Sequence, residues 1–362
     1  PAGLWGVARL NTARRVALVF SSKKRAEEVT CVRRPGDAQA DDDEPPDLLA
    51  EYDTEETIAA VESALARRYA VTRVEGDTAA LGRLQALRPD LVFNIAEGFR
   101  GPNRESHVPI FCEMLGLPCT GSDALTLGIC LDKARAKEIL AFHGVPTPAF
   151  LQVDPARLNG QAVPLPALVK PLHEGSSMGI RDNSLVRTRA ELAARVEAVH
   201  RQYRQPALVE AFLDGREFTV GVLGNPPERE ILPLVEIDHR ALPKGANPIY
   251  GYEAKWLWDD PSAPIPILVC PARVPDALRA AIETVVTRAL DVLRVRDWCR
   301  VDVRLDAAGA PHILELNPLP GILPDPKEHS ALPAAARAAG YRYEDLILKV
   351  AAAALRRHGL EP

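Results

Sequence analysis

Apolar and polar positions follow two periods along the chain. Residues 300–321, RVDVRLDAAGAPHILELNPLPG, alternate with period two. Val301, Val303 and Leu305 fall on one side and Arg300, Asp302 and Arg304 on the other. After turn residues 307–310, Leu314 and Leu316 oppose Glu315 and Asn317, which predicts a β-hairpin. A four-residue loop places Asp302 across from Glu315 and Arg300 across from Asn317. Two carboxylates and an amide oxygen then converge beside a guanidinium, a set of hard oxygen donors suited to Mg²⁺. The same pattern also fits a surface hairpin with charges paired across its strands.

Upstream, short apolar runs at 16–20 (VALVF), 71–75 (VTRVE) and 90–95 (DLVFNI) are separated by stretches of helical spacing. The first of these stretches starts at Glu55 and carries Ile58, Val61 and Leu65; the next covers 78–87, and a further helix is expected over 105–115. This β-α-β-α-β order predicts a small parallel sheet with covering helices. One or two helices are expected over 124–143, then short strands over 146–170 ending in ALVK (167–170), and a small-residue loop over 173–179. A helix at 188–201, strands at 207–213 and 216–224, an irregular run at 243–266, a helix at 275–293 and a helix pair (332–339, 343–358) complete the chain. Segment 37–56 holds ten acidic residues, no basic one, and Pro45 and Pro46, and is expected to be a mobile solvated loop.

Composition narrows the function classes. The 362 residues carry 44 Lys and Arg against 49 Asp and Glu, a formal net charge of −5. No general attraction to nucleic acid or an anionic membrane follows, so any phosphate must be held locally. The six cysteines show neither CxxC pairing nor zinc spacing, as reduced thiols do. No apolar run approaches the ~20 residues of a membrane span. The opening residues hold no apolar core of signal-peptide length, and the cytoplasm is the expected compartment.

No GxxxxGK[ST] run occurs, which argues against a P-loop NTPase. Three lysines nevertheless stand where phosphate would want them. Lys133 opens a helix, Lys170 ends a buried-type strand before Gly175-Ser176-Ser177-Met178-Gly179, and Lys255 follows the aromatic cluster IYGYEAKW. Lysine is a compact point charge for phosphate, and a Gly/Ser loop lets backbone N–H groups approach phosphate oxygens. The loop also fits G-x-S-x-G, but the turn-like Arg181-Asp182-Asn183-Ser184 follows where a hydrolase elbow needs a helix.

Taken in order, LDK (131–133), LVKPLHEGSSMGI (168–180), LVEAFLDGREFTV (208–220), YEAKW (252–256), RVDV (300–303) and LELNPLPG (314–321) resemble the ATP-grasp ligases, and within them the D-alanine–D-alanine ligase family. PCTGSDALTLGICLDK (118–133) resembles that family's passage between its first two domains, and the likeness runs from about Leu91 to the C-terminus. The resemblance implies an α/β architecture, an ATP-grasp fold preceded by a small Rossmann-like parallel domain. The expected divisions are 1–123, 124–210 and 211–362.

It also implies roles. Lys133 and Lys170 would contact ATP phosphates under a loop carrying Ser176 and Ser177. Glu210 and the backbone of Ala211–Leu213 would hold adenine, and Glu217 the ribose. Lys255 would reach phosphates or a substrate carboxylate. Asp302, Glu315 and Asn317 would bind two Mg²⁺ ions, with Mn²⁺ as a substitute. Arg300 and the Gly321 N–H would stabilise an oxyanion, and Ser330 would touch the second substrate's carboxylate. A homodimer acting on small amino-acid or amine and carboxylate substrates is implied, with no nucleic-acid or membrane partner.

Departures fall where substrate is chosen. The family's Gly-Gly-x-Ser-x-Glu turn is replaced by Ser21-Ser22-Lys23-Lys24, its later His-Gly by Glu97-Gly98, and its Tyr after the third lysine by Trp256. Glu97 is the candidate replacement for the missing ammonium anchor; the alternative is a Glu salt-bridged to Arg100 or Arg104. The expected activity is an ATP-dependent carboxylate–amine ligase with an altered amino-acid site. A genuine D-alanine–D-alanine ligase and a catalytically silent ATP-binding regulator are the alternatives.

Overall fold

A computed structural model describes residues 13–30, 45, 47–158, 162–258, 265–328 and 330–361. Strands β1 (Arg15–Phe20), β2 (Ala70–Glu75) and β3 (Leu91–Asn94) form a parallel sheet in the order β2-β1-β3. β1 is central because VALVF is apolar on both faces. Val16, Leu18 and Phe20 pack with helix α2 (Glu55–Ala66), while Ala17 and Val19 pack with α3 (Ala80–Leu87) and α4 (His107–Leu115). Thr54 caps α2 by accepting from the Thr57 N–H. A helix absent from the sequence expectations, α1 (Lys23–Thr30), follows β1; its KKRAEEVT run is too polar to show an apolar stripe.

The described part of the acidic segment corrects the expectation of a solvated loop. Asp47 is 1% exposed. It accepts from the Gly179 N–H at 3.0 Å, from Arg181 at 3.0 Å and from the Tyr203 hydroxyl at 2.8 Å. Glu51 pairs with Arg104 at 2.7 Å. Donors reaching in from other parts of the chain compensate the burial, which a composition argument cannot anticipate. Residues 31–44 and 46 lie outside the described residues.

Two helices follow, α5 (Ala124–Leu131) and α6 (Lys133–Phe142). They break at Asp132, whose carboxylate accepts from the Arg135 N–H and starts the second helix. The next sheet is antiparallel, β4 (Phe150–Val153), β5 (Ala167–Pro171), β6 (Leu185–Val186) and β7 (Ala207–Ala211), ordered β4-β7-β5-β6. Ala167, Val169, Ala207 and Val209 face α7 (Arg189–Tyr203). Strand alternation therefore turns Lys170 and Glu210 to the opposite face.

The largest sheet holds β8 (Glu217–Leu223), β9 (Glu230–Ile231), β10 (Val235–Ile237), β11 (Leu268–Val269), β12 (Trp298–Leu305) and β13 (Pro311–Asn317). Its order is β11-β10-β8-β12-β13, with β9 on β8. Phe218, Val220, Val301, Val303, Ile313 and Leu316 face α8 (Asp276–Val292), with α5 and α6 completing that core. Helices α9 (Ala331–Ala338) and α10 (Tyr343–Arg357) return to the first sheet and pack around Trp298, with α10 against α2.

Hairpin β12–β13 pairs Arg300 with Asn317 and Asp302 with Glu315, but by a different route from the one expected. Leu305 pairs with Pro311, so the loop is 306–310, one residue longer, and a bulge at Leu314 restores the register. Leu314 consequently leaves the face of Leu316 and lines the cleft described below.

Candidate active site

The three sheets enclose a cleft of about 690 Å³. Its walls carry Glu97 beyond β3, Lys170 and Glu210 from the middle sheet, and Asp302, Glu315 and Asn317 from the hairpin. Asp302 is oriented by Thr219, whose hydroxyl donates at 2.6 Å, and by Arg300 at 3.2 Å to each oxygen. The Asn317 amide donates to Asp302 Oδ2 at 3.3 Å. Burial pushes Asp302 up. Burial acts on Glu315 in the same sense, but Lys133, Lys170 and Arg300 overcome it and hold that carboxyl down at about 2. Glu315 Oε2 is buried with no hydrogen-bond partner among the described residues. An ionised oxygen in this state beside Asp302 and Asn317 fits a divalent cation.

The lysines form a ladder on the carboxylates. Lys170 Nζ lies 3.0 Å from Glu210 Oε2 and 3.8 Å from Glu315 Oε2; Lys133 Nζ lies 3.7 Å from Glu315 Oε2 and donates to the Glu174 carbonyl. Lys137, one helical turn after Lys133, is the residue the sequence reading missed. It reaches Glu210 Oε1 at 2.7 Å and Thr147 Oγ1 at 2.7 Å. The signal was available in LDKARAK, where i and i+4 share a helix face. Burial opposes ionisation of Glu210, yet Lys137 and Lys170 keep it below the usual carboxylate range. Glu210 therefore anchors lysines as well as lining the cleft.

Beside it, the Ala211 and Phe212 N–H groups are already donated to the Ala149 and Pro166 carbonyls. The Leu213 N–H has no partner among the described residues, and Ala211 and Leu213 both line the cleft. Glu217 is held by Arg304 at 2.8 Å and His239 at 3.1 Å.

Ser176 and Ser177 both adopt left-handed backbone, φ 47° and 61°. Their loop is fixed by Ser177 Oγ donating to the Tyr250 carbonyl at 3.1 Å and Trp256 Nε1 donating to the Ser176 carbonyl at 3.1 Å. A 3₁₀ turn at Asp182–Ser184 follows, and α7 begins only at Arg189, so the elbow geometry of a hydrolase is absent here. Lys255 stands over the Trp256 ring at 5.2 Å, and burial, helped by Arg300, lowers it to about 8. Across the cleft, Ser330 Oγ donates to the Gly321 carbonyl at 3.1 Å, while the Gly321 N–H has no partner among the described residues.

Glu97 is not salt-bridged to either arginine. Arg100 donates to the Val29 carbonyl, and Arg104 pairs with Glu51 at 2.7 Å and Glu174 at 3.2 Å. Oxygens of Glu51, Glu97 and Glu105 instead lie within 4.8 Å of one another. Burial, then neighbouring Glu51, pushes Glu105 up to about 8 and Glu97 well above its ordinary value.

Sheet order, lysine ladder and carboxylate hairpin agree with the resemblance to the nucleotide-dependent ligases of the ATP-grasp class. The family model described as D-ala D-ala ligase C-terminus matches residues 142–351. D-alanine–D-alanine ligases of Cupriavidus metallidurans and Bordetella pertussis are 36% and 38% identical over 249 and 253 residues. The matches cover 67% of this chain in each case, and 69% and 72% of those proteins. An uncharacterized protein of Sinorhizobium fredii, y4sG, is 37% identical over 292 residues, 78% of this chain and 82% of that one. A D-alanine–D-alanine ligase from Bacillus anthracis solved with ATP superposes with a TM-score of 0.65 at 21% identity, covering 96% of this chain and 99% of that one, which shows the shared fold. The chain belongs to the D-alanine–D-alanine ligase family and is an ADP-forming ATP-grasp ligase. Among the described residues no helix is long and apolar enough to cross a membrane.

Proposed function

We propose that the chain joins a carboxylate to an amine through an acyl phosphate, with an amino-acid site altered from that of D-alanine–D-alanine ligases. The observation that carries this is Glu315 Oε2, buried with no hydrogen-bond partner among the described residues yet ion-paired to Lys133 at 3.7 Å and Lys170 at 3.8 Å. Cationic groups and metal-type ligands meet there at one carboxylate, as phosphoryl transfer requires. Asp302, Glu315 and Asn317 would hold Mg²⁺, which supplies charge neutralisation for the transferred phosphoryl group. Lys133 and Lys170 neutralise phosphate oxygens, and Glu210 and Glu217 line the nucleotide side. Lys255, lowered to about 8, keeps most of its proton at neutral pH and holds it more firmly when an anion arrives. Arg300 is poised near Asp302 and, with the Gly321 N–H, faces the oxyanion formed when the amine attacks. The Ser176–Ser177 loop excludes water from the acyl phosphate.

The altered amino-acid site rests on Glu97, which joins a carboxylate cluster and makes no ion pair among the described residues. The test is phosphate release from Mg·ATP across D- and L-amino acids, singly and in pairs, with mass spectrometry of products. Release with a pair other than two D-alanines supports the reading. D-alanyl-D-alanine as the preferred product means the altered residues are substitutes, the reading that the names of the 36–38% identical relatives favour. ATP binding without turnover for any pair means a silent binder.

A further inference from the structure

Four carboxylates stand on the first-sheet side of the cleft around one guanidinium. Oxygens of Glu51, Glu97 and Glu105 lie within 4.8 Å of one another, a span that an ammonium donating bonds of about 2.9 Å to each can bridge. Asp53 lines the same wall two residues beyond Glu51. Arg104 is committed to Glu51, Glu174 and the His173 carbonyl. Among the described residues, no lysine or arginine pairs with Asp53, Glu97 or Glu105.

Two observations beyond the clustering point to a ligand. Glu105 is 8% exposed and lines the cleft, and its carboxylate has no hydrogen-bond or ion-pair partner among the described residues. Asp53 Oδ2, outside the three-carboxylate group, is buried and has no hydrogen-bond partner among the described residues. Buried polar groups without partners are rare and costly, and an arriving donor relieves them. Burial raises Asp53 and Glu105 to about 8 and Glu97 well above its ordinary value, and an arriving ammonium draws one of them to its ionised form, whereas three have no cation of their own among the described residues. The wall also adjoins the phosphate end, since Glu105 shares a small pocket with Lys133 and Glu315.

We propose that this wall seats an acyl-donor substrate with two ammonium groups, a diamino acid, its carboxylate towards Lys133 and Lys170 and its ammonium groups against Asp53, Glu97 and Glu105. The buried acidic segment thereby becomes a specificity element, because it delivers Glu51 and Asp53. Neither ammonium is the attacking amine, which the second substrate supplies, so the wall can keep both protonated. Tyr52, stacked on Phe99 at 5.5 Å, offers the carbon chain an aromatic surface at the same wall. This inference rests on the ligase reading above.

The experiment is calorimetric titration of the full chain, saturated with Mg²⁺ and a non-hydrolysable ATP analogue. The probes are 2,3-diaminopropionate, 2,4-diaminobutyrate, ornithine and lysine in both hands, against alanine and norvaline; phosphate release with ATP is measured in parallel. At least one diamino acid is expected to bind about 10²-fold or more tighter than norvaline, as for a site built to bond a group the analogue lacks. Glu97→Gln and Glu105→Gln should each lower that ratio about tenfold; Asp53→Asn serves if either fails to fold. Equal or tighter binding of alanine or norvaline overturns the proposal, and phosphate release with them would still leave the ligase reading standing. Diamino-acid binding without phosphate release, even with each amino acid of the panel added as second substrate, would leave the wall as a binding site, sink the ligase reading and overturn the acyl-donor role. Mn²⁺ binding to the nucleotide-free protein that Glu97→Gln abolishes would make the wall a metal site and overturn it.

Discussion

Lys137 Nζ lies 2.7 Å from Glu210 Oε1, with both side chains 2% exposed. The pair joins α6 to the middle sheet beneath the candidate phosphate site, and Glu210 passes the constraint to Lys170 through its other oxygen. Removing Lys137 leaves Glu210 with Lys170 alone to offset its buried charge. Lys137→Met is therefore expected to cost about 3 kcal/mol in urea unfolding, with Lys137→Met/Glu210→Met recovering part of the loss. A full additive loss in the double variant would contradict the pairing.

Glu315 offers a separation of stability from activity. Lys133, Lys170 and Arg300 hold its carboxyl down at about 2, so the ionised form is favoured in the fold and Glu315→Gln should lower the metal-free melting temperature moderately at neutral pH while the chain still folds. Turnover should fall by about 10²–10³, the usual loss of one preorganised electrostatic group. Loss of folding with the Gln variant would show that the carboxylate serves structure first.

The carboxylate wall sets a pH dependence of stability. Glu105 rises from about 4.3 in an unfolded chain to about 8 in the fold, chiefly by burial. A carboxyl raised on folding contributes most below its unfolded value, and that contribution is lost as pH rises through 8. Glu105→Gln should therefore raise the melting temperature at pH 8.5, by about 1 °C for each kcal/mol relieved in a chain of 362 residues, and change it little at pH 4. An equal shift at both pH values would refute the assignment.

Asp47 ties the acidic segment to the loop over the cleft through Gly179, Arg181 and Tyr203. Asp47→Ala frees that loop and leaves buried donors unpaired. A KM for ATP raised about tenfold, with faster proteolysis near residues 173–181, is expected. Unchanged proteolysis would mean the loop does not depend on this contact.

Legibility in the sequence followed the range of the forces involved. Val301, Val303 and Leu305 announce their strand because alternation is local, and the Asp302–Glu315 pairing was readable even though the bulge at Leu314 was not. A bulge leaves the apolar count almost unchanged, so composition does not mark it. Lys133 and Lys170 could be placed by their neighbours in the chain. Asp47 and Glu51 could not, because their partners Arg181 and Arg104 lie 134 and 53 residues away and the surrounding composition is that of a solvated segment. Thr219, which orients Asp302 from the neighbouring strand, is silent in sequence for the same reason.

The central claim is that a substrate carboxylate is activated by phosphorylation. Its most direct measurement uses a turned-over amino-acid substrate labelled with ¹⁸O in its carboxylate, with mass spectrometry of the released phosphate. The account predicts one labelled oxygen in inorganic phosphate alongside ADP. Unlabelled phosphate, or label in AMP with release of pyrophosphate, would contradict it.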